Sequence, residues 1–194
     1  MTQLLIATTN AGKQREFRRL LAGIAADLVT PGEIGLELDV DEPFETYAEN
    51  AIAKADAYAA ASGLLTVADD SGIEIAALDW GPGVRSARWG GGRNAERVLE
   101  ALGDETDRRA RMVCVVAVAG DRLGAETATF TGVVEGIVAA EGRGTGGFGY
   151  DPIFLLPSGL TTAELPEAEK DQLSHRGRAV AAALPMLREL LEPN

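Results

Sequence analysis

The sequence predicts an α/β fold, because apolar runs of strand length alternate with segments of helical period. The first apolar run, Leu4-Leu5-Ile6-Ala7, predicts a buried strand that stops at the polar residues Thr8-Thr9-Asn10. A helical pattern follows, with Phe17, Leu20 and Leu21 on one face. A strand, a polar turn and a helix in this order form a common opening of α/β proteins.

The rest of the chain continues this alternation. An acidic segment, 33–45, leads into a predicted helix over 46–62, where Thr46 and Glu49 fit a capping box and Gly63 marks the end. The later predicted elements, in chain order, are strands over 65–68 and 73–78, a helix over 94–102, antiparallel strands over 110–119 and 125–140, an extended piece over 152–156, and a helix over 176–191 that contains Pro185.

The composition indicates a globular protein and limits its partners. The 194 residues fit one domain or two joined lobes, and 46% are hydrophobic while 25% are charged. The net charge of −12 argues against broad binding to nucleic acid or to an anionic membrane, since both need a basic face. No apolar run approaches the ~20 residues that span a bilayer, so we expect a cytoplasmic enzyme. The single cysteine, Cys114, lies in an apolar run and is expected to be a buried hydrophobe.

The turn before the first helix is the first candidate site. Thr8-Thr9-Asn10-Ala11-Gly12-Lys13 places backbone N–H groups and a lysine at a helix N-terminus, where anions bind. The segment is not a P-loop, because Ala7 stands where a P-loop has Gly and Gln14 where it has Ser or Thr. The pattern alone is compatible with a polar helix cap and with a phosphate site.

Asp69-Asp70-Ser71-Gly72, at the end of a predicted strand, is the second candidate. Two adjacent carboxylates favour a nearby cation, and Mg²⁺ typically takes one or two carboxylates together with phosphate oxygens and waters. A solvated Asx turn is the alternative. Upstream, Asp39, Asp41, Glu42 and Glu45 either supply a further ligand or form only an acidic surface.

Two later segments carry aromatic and charged residues. In the glycine-rich run 144–152, the aromatics offer a stacking face and Asp151 an acceptor for a base edge, although a mobile surface turn is an equal alternative. This run is not a dinucleotide fingerprint, because no helix follows it. Further on, Glu169-Lys170 is followed by Ser174-His175-Arg176. His175 is the only histidine, and a lone histidine is more often structural than catalytic, whereas Arg176 is suited to acceptors on a purine edge.

The order and wording of these segments resemble those of the inosine triphosphate pyrophosphatase family, the non-canonical purine NTP (dITP/XTP) pyrophosphatases. The resemblance covers almost the whole chain, and its most specific segments are GTGGFGYDPIF and SHRG. The matching stretches are Ala7-Thr8-Thr9-Asn10 through Lys13, Glu49-Asn50-Ala51 through Lys54-Ala55, Ala68 through Gly72, Pro82 through Arg88, Gly144 through Phe154, and Glu169-Lys170 through Gly177.

The resemblance implies an elongated α/β fold with a mixed sheet, formed by a single domain over 1–194 whose two lobes enclose a nucleotide cleft, usually as a homodimer. It implies Mg²⁺-dependent cleavage between the α and β phosphates of ITP, dITP or XTP. Asp70, Asp69 and Lys13 are the expected catalytic residues, and Glu42, or Asp41 as its substitute, joins Asp70 as a metal ligand. The expected substrate-binding positions are Thr8, Thr9, Asn10, Ala11, Gly12, Lys13, Lys54, Ser71, Phe148, Gly149, Tyr150, Asp151, Lys170, His175 and Arg176.

The same residues suggest how keto purines would be selected. Hypoxanthine and xanthine present an O6 acceptor beside an N1–H donor, and donors from His175 and Arg176 with Asp151 as acceptor would match that edge. The alternatives are a related pyrophosphatase acting on pyrimidine or modified nucleotides, and a nucleotide-binding regulator without turnover. Retention of Asp69, Asp70 and Lys13 argues against the regulator.

Overall fold

The computed structural model describes residues 2–124 and 126–192. Its helices and strands, in chain order, are β1 (Gln3–Ile6), α1 (Ala11–Leu20), β2 (Asp27–Val29), α2 (Tyr47–Ser62), β3 (Leu65–Ile75), β4 (Gly81–Pro82), α3 (Ser86–Trp89), α4 (Asn94–Leu102), β5 (Arg109–Ala119), β6 (Ala128–Val138), β7 (Phe154–Leu155), α5 (Glu167–Leu173) and α6 (His175–Leu191). Residue 125 of the predicted strand 125–140, and residues 1, 193 and 194 of the expected domain, lie outside the described residues.

One mixed sheet joins the strands in the order β2-β1-β3-β5-β6-β7, with β4 paired to β3. β1 runs parallel to both β2 and β3, whereas β3 with β4 and β6 with β7 are antiparallel. The predicted α/β class with a mixed sheet is confirmed. No helix within the described residues is long and apolar enough to cross a membrane.

The chain divides into two compact units. Within the described residues, unit 1 consists of 2–70, 114–124, 126–131 and 178–192. Its core joins the apolar faces of α1 and α6 to the buried side chains of β1, β3 and β5. Phe17 and Leu21 are buried here, as the helical pattern predicted, and Cys114 is buried in the same core.

Unit 2 consists of Ser71–Val113 and Gly132–Gly177, and it has a separate core. Ile73 and Ile75 of β3 pack there with Val98 of α4 and with Phe154 of β7. Whether these two units are the two lobes of one expected domain over 1–194 stays a prediction.

β3 corrects the sequence prediction at the acidic pair. Two strands over 65–68 and 73–78, interrupted at 69–72, were expected, but one strand runs through these four residues and ends at Ile75. The remaining residues of the second predicted strand, Ala76–Leu78, form a 3-10 turn. β3 lies between β1 and β5 in the sheet and its end pairs with β4. This pairing extends the strand across a segment whose local composition favours a turn.

Other differences concern short elements. The helices α3 and α5 were not predicted, and the extended piece over 152–156 contains only the strand β7, because a 3-10 turn precedes it. The helix over 94–102 and the capped start of α2 are confirmed: the Thr46 hydroxyl accepts a hydrogen bond from the Glu49 N–H. Gly63 ends α2 with a φ of 68° in the left-handed region that favours glycine.

Candidate functional site

The turn between β1 and α1 is a polar helix cap. The Asn10 side chain accepts a hydrogen bond from the Lys13 N–H at 3.1 Å, and the Asn10 N–H donates to the Thr8 hydroxyl at 3.2 Å. Thr9 and Ala11 are exposed beside it, whereas Thr8 and Gly12 are buried. The cap interpretation is confirmed. A capped helix still presents N–H groups to an anion, so the expected phosphate role of this turn stays a prediction.

Lys13 pairs with the first acid of β3. Its Nζ lies 3.0 Å from Oδ2 of Asp69, which has no solvent exposure. The Cys114 thiol approaches the same carboxylate oxygen at 3.7 Å. A buried carboxylate needs a partner of opposite charge, and Lys13 supplies it. Asp69 thereby fixes the direction of Lys13, and the solvated-turn interpretation of this acid is wrong.

Asp70 is also buried, in a different setting. Its Oδ2 accepts a hydrogen bond from Nδ2 of Asn50 at 3.1 Å. Burial raises the pKa of the Asp70 carboxyl above its ordinary value, Lys13 and Lys54 oppose that rise, and Glu42 adds to it. Because a neighbouring cation favours the ionised form, a divalent metal at this point would hold Asp70 as a carboxylate.

Glu42 lies near enough to Asp70 to influence its pKa, and it forms an ion pair with Lys54 of α2. Asp41, the alternative metal ligand, is exposed, whereas Glu42 is half-buried. These positions favour Glu42 as the second carboxylate, although the choice stays a prediction. No cluster of three or more His, Cys, Asp or Glu side chains suited to a metal occurs within 2–124 and 126–192.

In unit 2, Asp151 is the centre of a buried network. Its Oδ2 accepts hydrogen bonds from Nζ of Lys170 and from the N–H of Phe148, both at 2.6 Å, and its Oδ1 accepts from the Thr162 hydroxyl at 2.8 Å. Asp151 and Lys170 are 3% and 5% exposed. The network ties the glycine-rich run to α5, so the mobile-turn interpretation of this run is wrong for its 148–151 end.

Two cations lie near the ring of Phe148. Nζ of Lys170 lies 5.4 Å from the ring centroid and Cζ of Arg176 lies 5.7 Å from it, both within cation–π range. Arg176, only 2% exposed, donates from Nη2 to the hydroxyl of Ser71 at 2.9 Å. His175 is half-buried at the first position of α6. Four of the expected substrate-binding positions, which come from separate segments of the chain, therefore lie together: Lys170, Arg176, Ser71 and Phe148.

Tyr150 and Gly149 differ in their surroundings. The Tyr150 hydroxyl donates to the Ser86 carbonyl at 2.8 Å in the interior, and burial raises the pKa of Tyr150 to about 12. Gly149 is exposed, with a φ of 65°. Tyr150 thus anchors the run through its hydroxyl, and a substrate contact by either residue stays a prediction.

Two glycines, one in the segment GTGGFGYDPIF and one in SHRG, stand where there is no room for a Cβ atom. At Gly147, with a φ of 69°, a Cβ would lie 2.0 Å from Oδ2 of Asp151. At Gly177, in the first turn of α6, a Cβ would lie 1.8 Å from the Asp171 carbonyl oxygen. Both distances are far below contact distance, so these glycines allow the buried network and the close approach of α5 and α6.

The sequence prediction missed Asn50 and Thr162, which contact the buried carboxylates of Asp70 and Asp151. Asn50 stands in one of the matching stretches, but nothing local in its position on α2 indicates a partner twenty residues away. Thr162 lies outside every motif. Only the fold reveals either residue.

The protein is an α/β protein whose two units each contain at least one buried carboxylate close to a lysine. These are Asp69 and Asp70 near Lys13 in unit 1, and Asp151 beside Lys170 in unit 2. The sequence model of the Ham1 family matches residues 4–186, and the chain belongs to that family.

Similar proteins agree with this assignment over nearly the full length. The chain is 46% identical to the dITP/XTP pyrophosphatase of Symbiobacterium thermophilum, over 98% of this chain and 97% of the relative, and 43% identical to that of Nitrosomonas europaea, over 97% and 96%. Among solved structures, a HAM1 protein from Coxiella burnetii superposes with a TM-score of 0.85 at 40% identity, covering 97% of this chain and 100% of that one. The Ham1 protein of Staphylococcus aureus gives 0.84 at 38% identity, covering 97% and 99%.

Proposed function

We propose that the chain hydrolyses the non-canonical purine nucleoside triphosphates ITP, dITP and XTP to the nucleoside monophosphate and pyrophosphate. The observation that carries the proposal is Asp70, a buried carboxylate held by Asn50 close to Lys13, Lys54 and Glu42. Attack of water on a triphosphate is mainly a problem of positioning and charge neutralisation, and these groups serve both needs. The names of the similar proteins support the same reaction and disfavour a pyrimidine nucleotide as substrate.

The residues fit a magnesium ion. Mg²⁺ usually takes one or two protein carboxylates together with phosphate oxygens and waters, and Asp70 and Glu42 supply two hard oxygen donors whose mutual repulsion a cation would offset. When bound, the ion would neutralise phosphate charge. Glu42 and Asp70 would hold it, which requires Glu42 to share or release its contact with Lys54.

The side chains themselves perform the remaining steps. Lys13, oriented by Asp69, and the N–H groups at the start of α1 bind phosphate oxygens. Lys54 is a second phosphate contact when it leaves Glu42. Asp70 orients and deprotonates the attacking water, and pyrophosphate leaves as the bond between the α-phosphorus and the bridging oxygen breaks.

The group around Phe148 suits a purine. The ring offers a stacking face, while Arg176, Lys170 and His175 are donors for O6. A carboxylate has about four acceptor positions, and three donors already contact Asp151, so a single position is left for the N1–H of a keto purine. This arrangement favours hypoxanthine and xanthine over adenine.

The test is a product analysis with ITP, dITP, XTP, GTP and ATP in Mg²⁺, in which chromatography separates pyrophosphate from orthophosphate. ITP should yield IMP and pyrophosphate in equal amounts, without IDP, and EDTA should abolish the reaction. Release of orthophosphate with IDP would contradict the assignment.

We propose in addition that the protein acts as a homodimer in the cytoplasm, binding neither nucleic acid nor membrane. The family resemblance and the charge of −12 support this. Light scattering coupled to size exclusion measures the oligomeric state.

A further inference from the structure

The acidic loop, defined here as residues 36–46, contains no helix or strand, but α2 holds it at three places. The Tyr58 hydroxyl donates to the Leu38 carbonyl at 2.9 Å, Lys54 pairs with Glu42, and Asn50 contacts Phe44. The three residues of α2 are spaced four apart, so they share one face of the helix. The loop therefore follows α2 along that face.

Asn50 differs from Lys54 and Tyr58 because it contacts Asp70 as well as the loop. Its Oδ1 accepts from the Phe44 N–H at 3.1 Å, and its Nδ2 donates to the Phe44 carbonyl and to Oδ2 of Asp70, both at 3.1 Å. The residue is 1% exposed. Both Nδ2 hydrogens and one Oδ1 lone pair are thus used, and one side chain joins the acidic loop to β3.

We propose that Asn50 is a positioning residue: it keeps Glu42 close to Asp70 before a divalent cation binds. Phe44, which Asn50 holds through both backbone groups, is two residues from Glu42, so a displaced Phe44 would carry Glu42 away from Asp70. Asn50 has no role in the chemistry itself and acts only through these two carboxylates. The inference rests on the proposed function for the identity of the cation.

The physical reason is preorganisation. Two carboxylates repel each other, and a loop without regular structure does not keep one beside the other unless it is tied down. Removal of a group that hydrogen-bonds to a metal ligand and orients it typically changes the metal affinity by about 10–100-fold. Asn50 has the position of such a group, because it contacts one carboxylate directly and the backbone close to the other.

The test compares Asn50→Leu and Asn50→Ala with Tyr58→Phe. Leucine nearly preserves the shape of Asn50 and removes all three hydrogen bonds. Tyr58→Phe is the matched control, since it removes one tie between α2 and the same loop and leaves the contact with Asp70 intact. Circular dichroism checks the fold, and alanine replaces leucine if leucine does not fit.

Two readouts are needed. In the free protein without metal, hydrogen–deuterium exchange of peptides covering 39–46 should be faster in the Asn50 variants. In ITP hydrolysis, the Mg²⁺ concentration for half-maximal rate should rise by roughly 10–100-fold in these variants, while kcat at saturating Mg²⁺ changes much less. For Tyr58→Phe we expect a smaller increase than in either Asn50 variant, because Tyr58 bonds the loop at Leu38, four residues from Glu42.

An equal increase of the Mg²⁺ concentration for half-maximal rate in Asn50→Leu and Tyr58→Phe would overturn the proposal. Any contact between α2 and the loop would then have the same effect. Unchanged exchange and unchanged Mg²⁺ dependence in folded Asn50 variants would overturn it as well. Failure of the wild-type protein to convert ITP to IMP and pyrophosphate would instead refute the proposed function, and the exchange experiment would still test the tie.

Discussion

Replacement of Asp70 by asparagine should slow catalysis and stabilise the fold at the same time. The substitution keeps the shape of the side chain and an oxygen that can accept from Asn50, and removes the charge. Loss of a general base typically slows turnover by roughly 10²–10⁴-fold. That range corresponds to about 2.7–5.4 kcal/mol in the activation free energy at about 1.36 kcal/mol per decade.

The stability effect follows from the pKa of Asp70, which burial raises in the folded protein. Folded protein then holds the proton more tightly than unfolded chain does, so the free energy of unfolding falls as pH rises through the interval between the ordinary and the raised pKa. Asparagine has no charge to bury at any pH. The Asp70→Asn protein should therefore be more stable than wild type above this interval, and the difference should shrink as pH falls through it.

Urea unfolding between pH 4 and 8 measures the stability difference, and single-turnover hydrolysis of ITP measures the rate. Asp56→Asn is a suitable control, because Asp56 is an exposed residue of α2 and asparagine keeps the oxygen that accepts from the Thr127 hydroxyl, so neither quantity should change. A variant that is less stable than wild type at every pH would show that attraction to Lys13 and Lys54 outweighs burial. Near-normal turnover would show that Asp70 is not the carboxylate that activates water.

Three further predictions concern unit 2. Arg176→Ala should lower kcat/KM for ITP by roughly 10–150-fold, the value of a hydrogen bond to a charged group, and change ATP turnover much less; equal loss for both would make Arg176 a structural or phosphate residue. Lys170→Met should destabilise the fold by about 3–5 kcal/mol in urea, because it leaves the Asp151 charge buried without its partner, and Lys170→Met with Asp151→Asn should recover most of that loss; additive losses would contradict the buried pair. Gly147→Ala should lower the melting temperature more than Gly149→Ala, because both have positive φ but a Cβ meets other atoms only at Gly147; similar melting temperatures would contradict the role assigned to Gly147.

The sequence was sufficient for elements with a strong local signal. The α1 face of Phe17 and Leu21, the cap at Thr46 and the buried run around Cys114 follow from residues close together in the chain. The continuous β3 could not be predicted, because Asp, Ser and Gly favour turns locally and pairing with the neighbouring strands of the sheet overrides that preference.

The candidate site shows the same limit. The family resemblance predicted Lys13 and Asp70 as site residues, but the sequence did not place the acidic loop. The loop has no period, and its position depends on side chains of α2. These contacts join residues six and twenty positions apart, and they form only when the loop packs on α2.

The adjacent aspartates of β3, Asp69 and Asp70, have different partners. Successive side chains of a strand point to opposite faces, so Asp69 meets Lys13 and Cys114 while Asp70 meets Asn50. Deletion of one residue between 65 and 68 would turn both acids to the wrong face. Insertions and deletions are tolerated in most surface loops, but in this strand a change of length alone would exchange the surroundings of the two acids without altering either one.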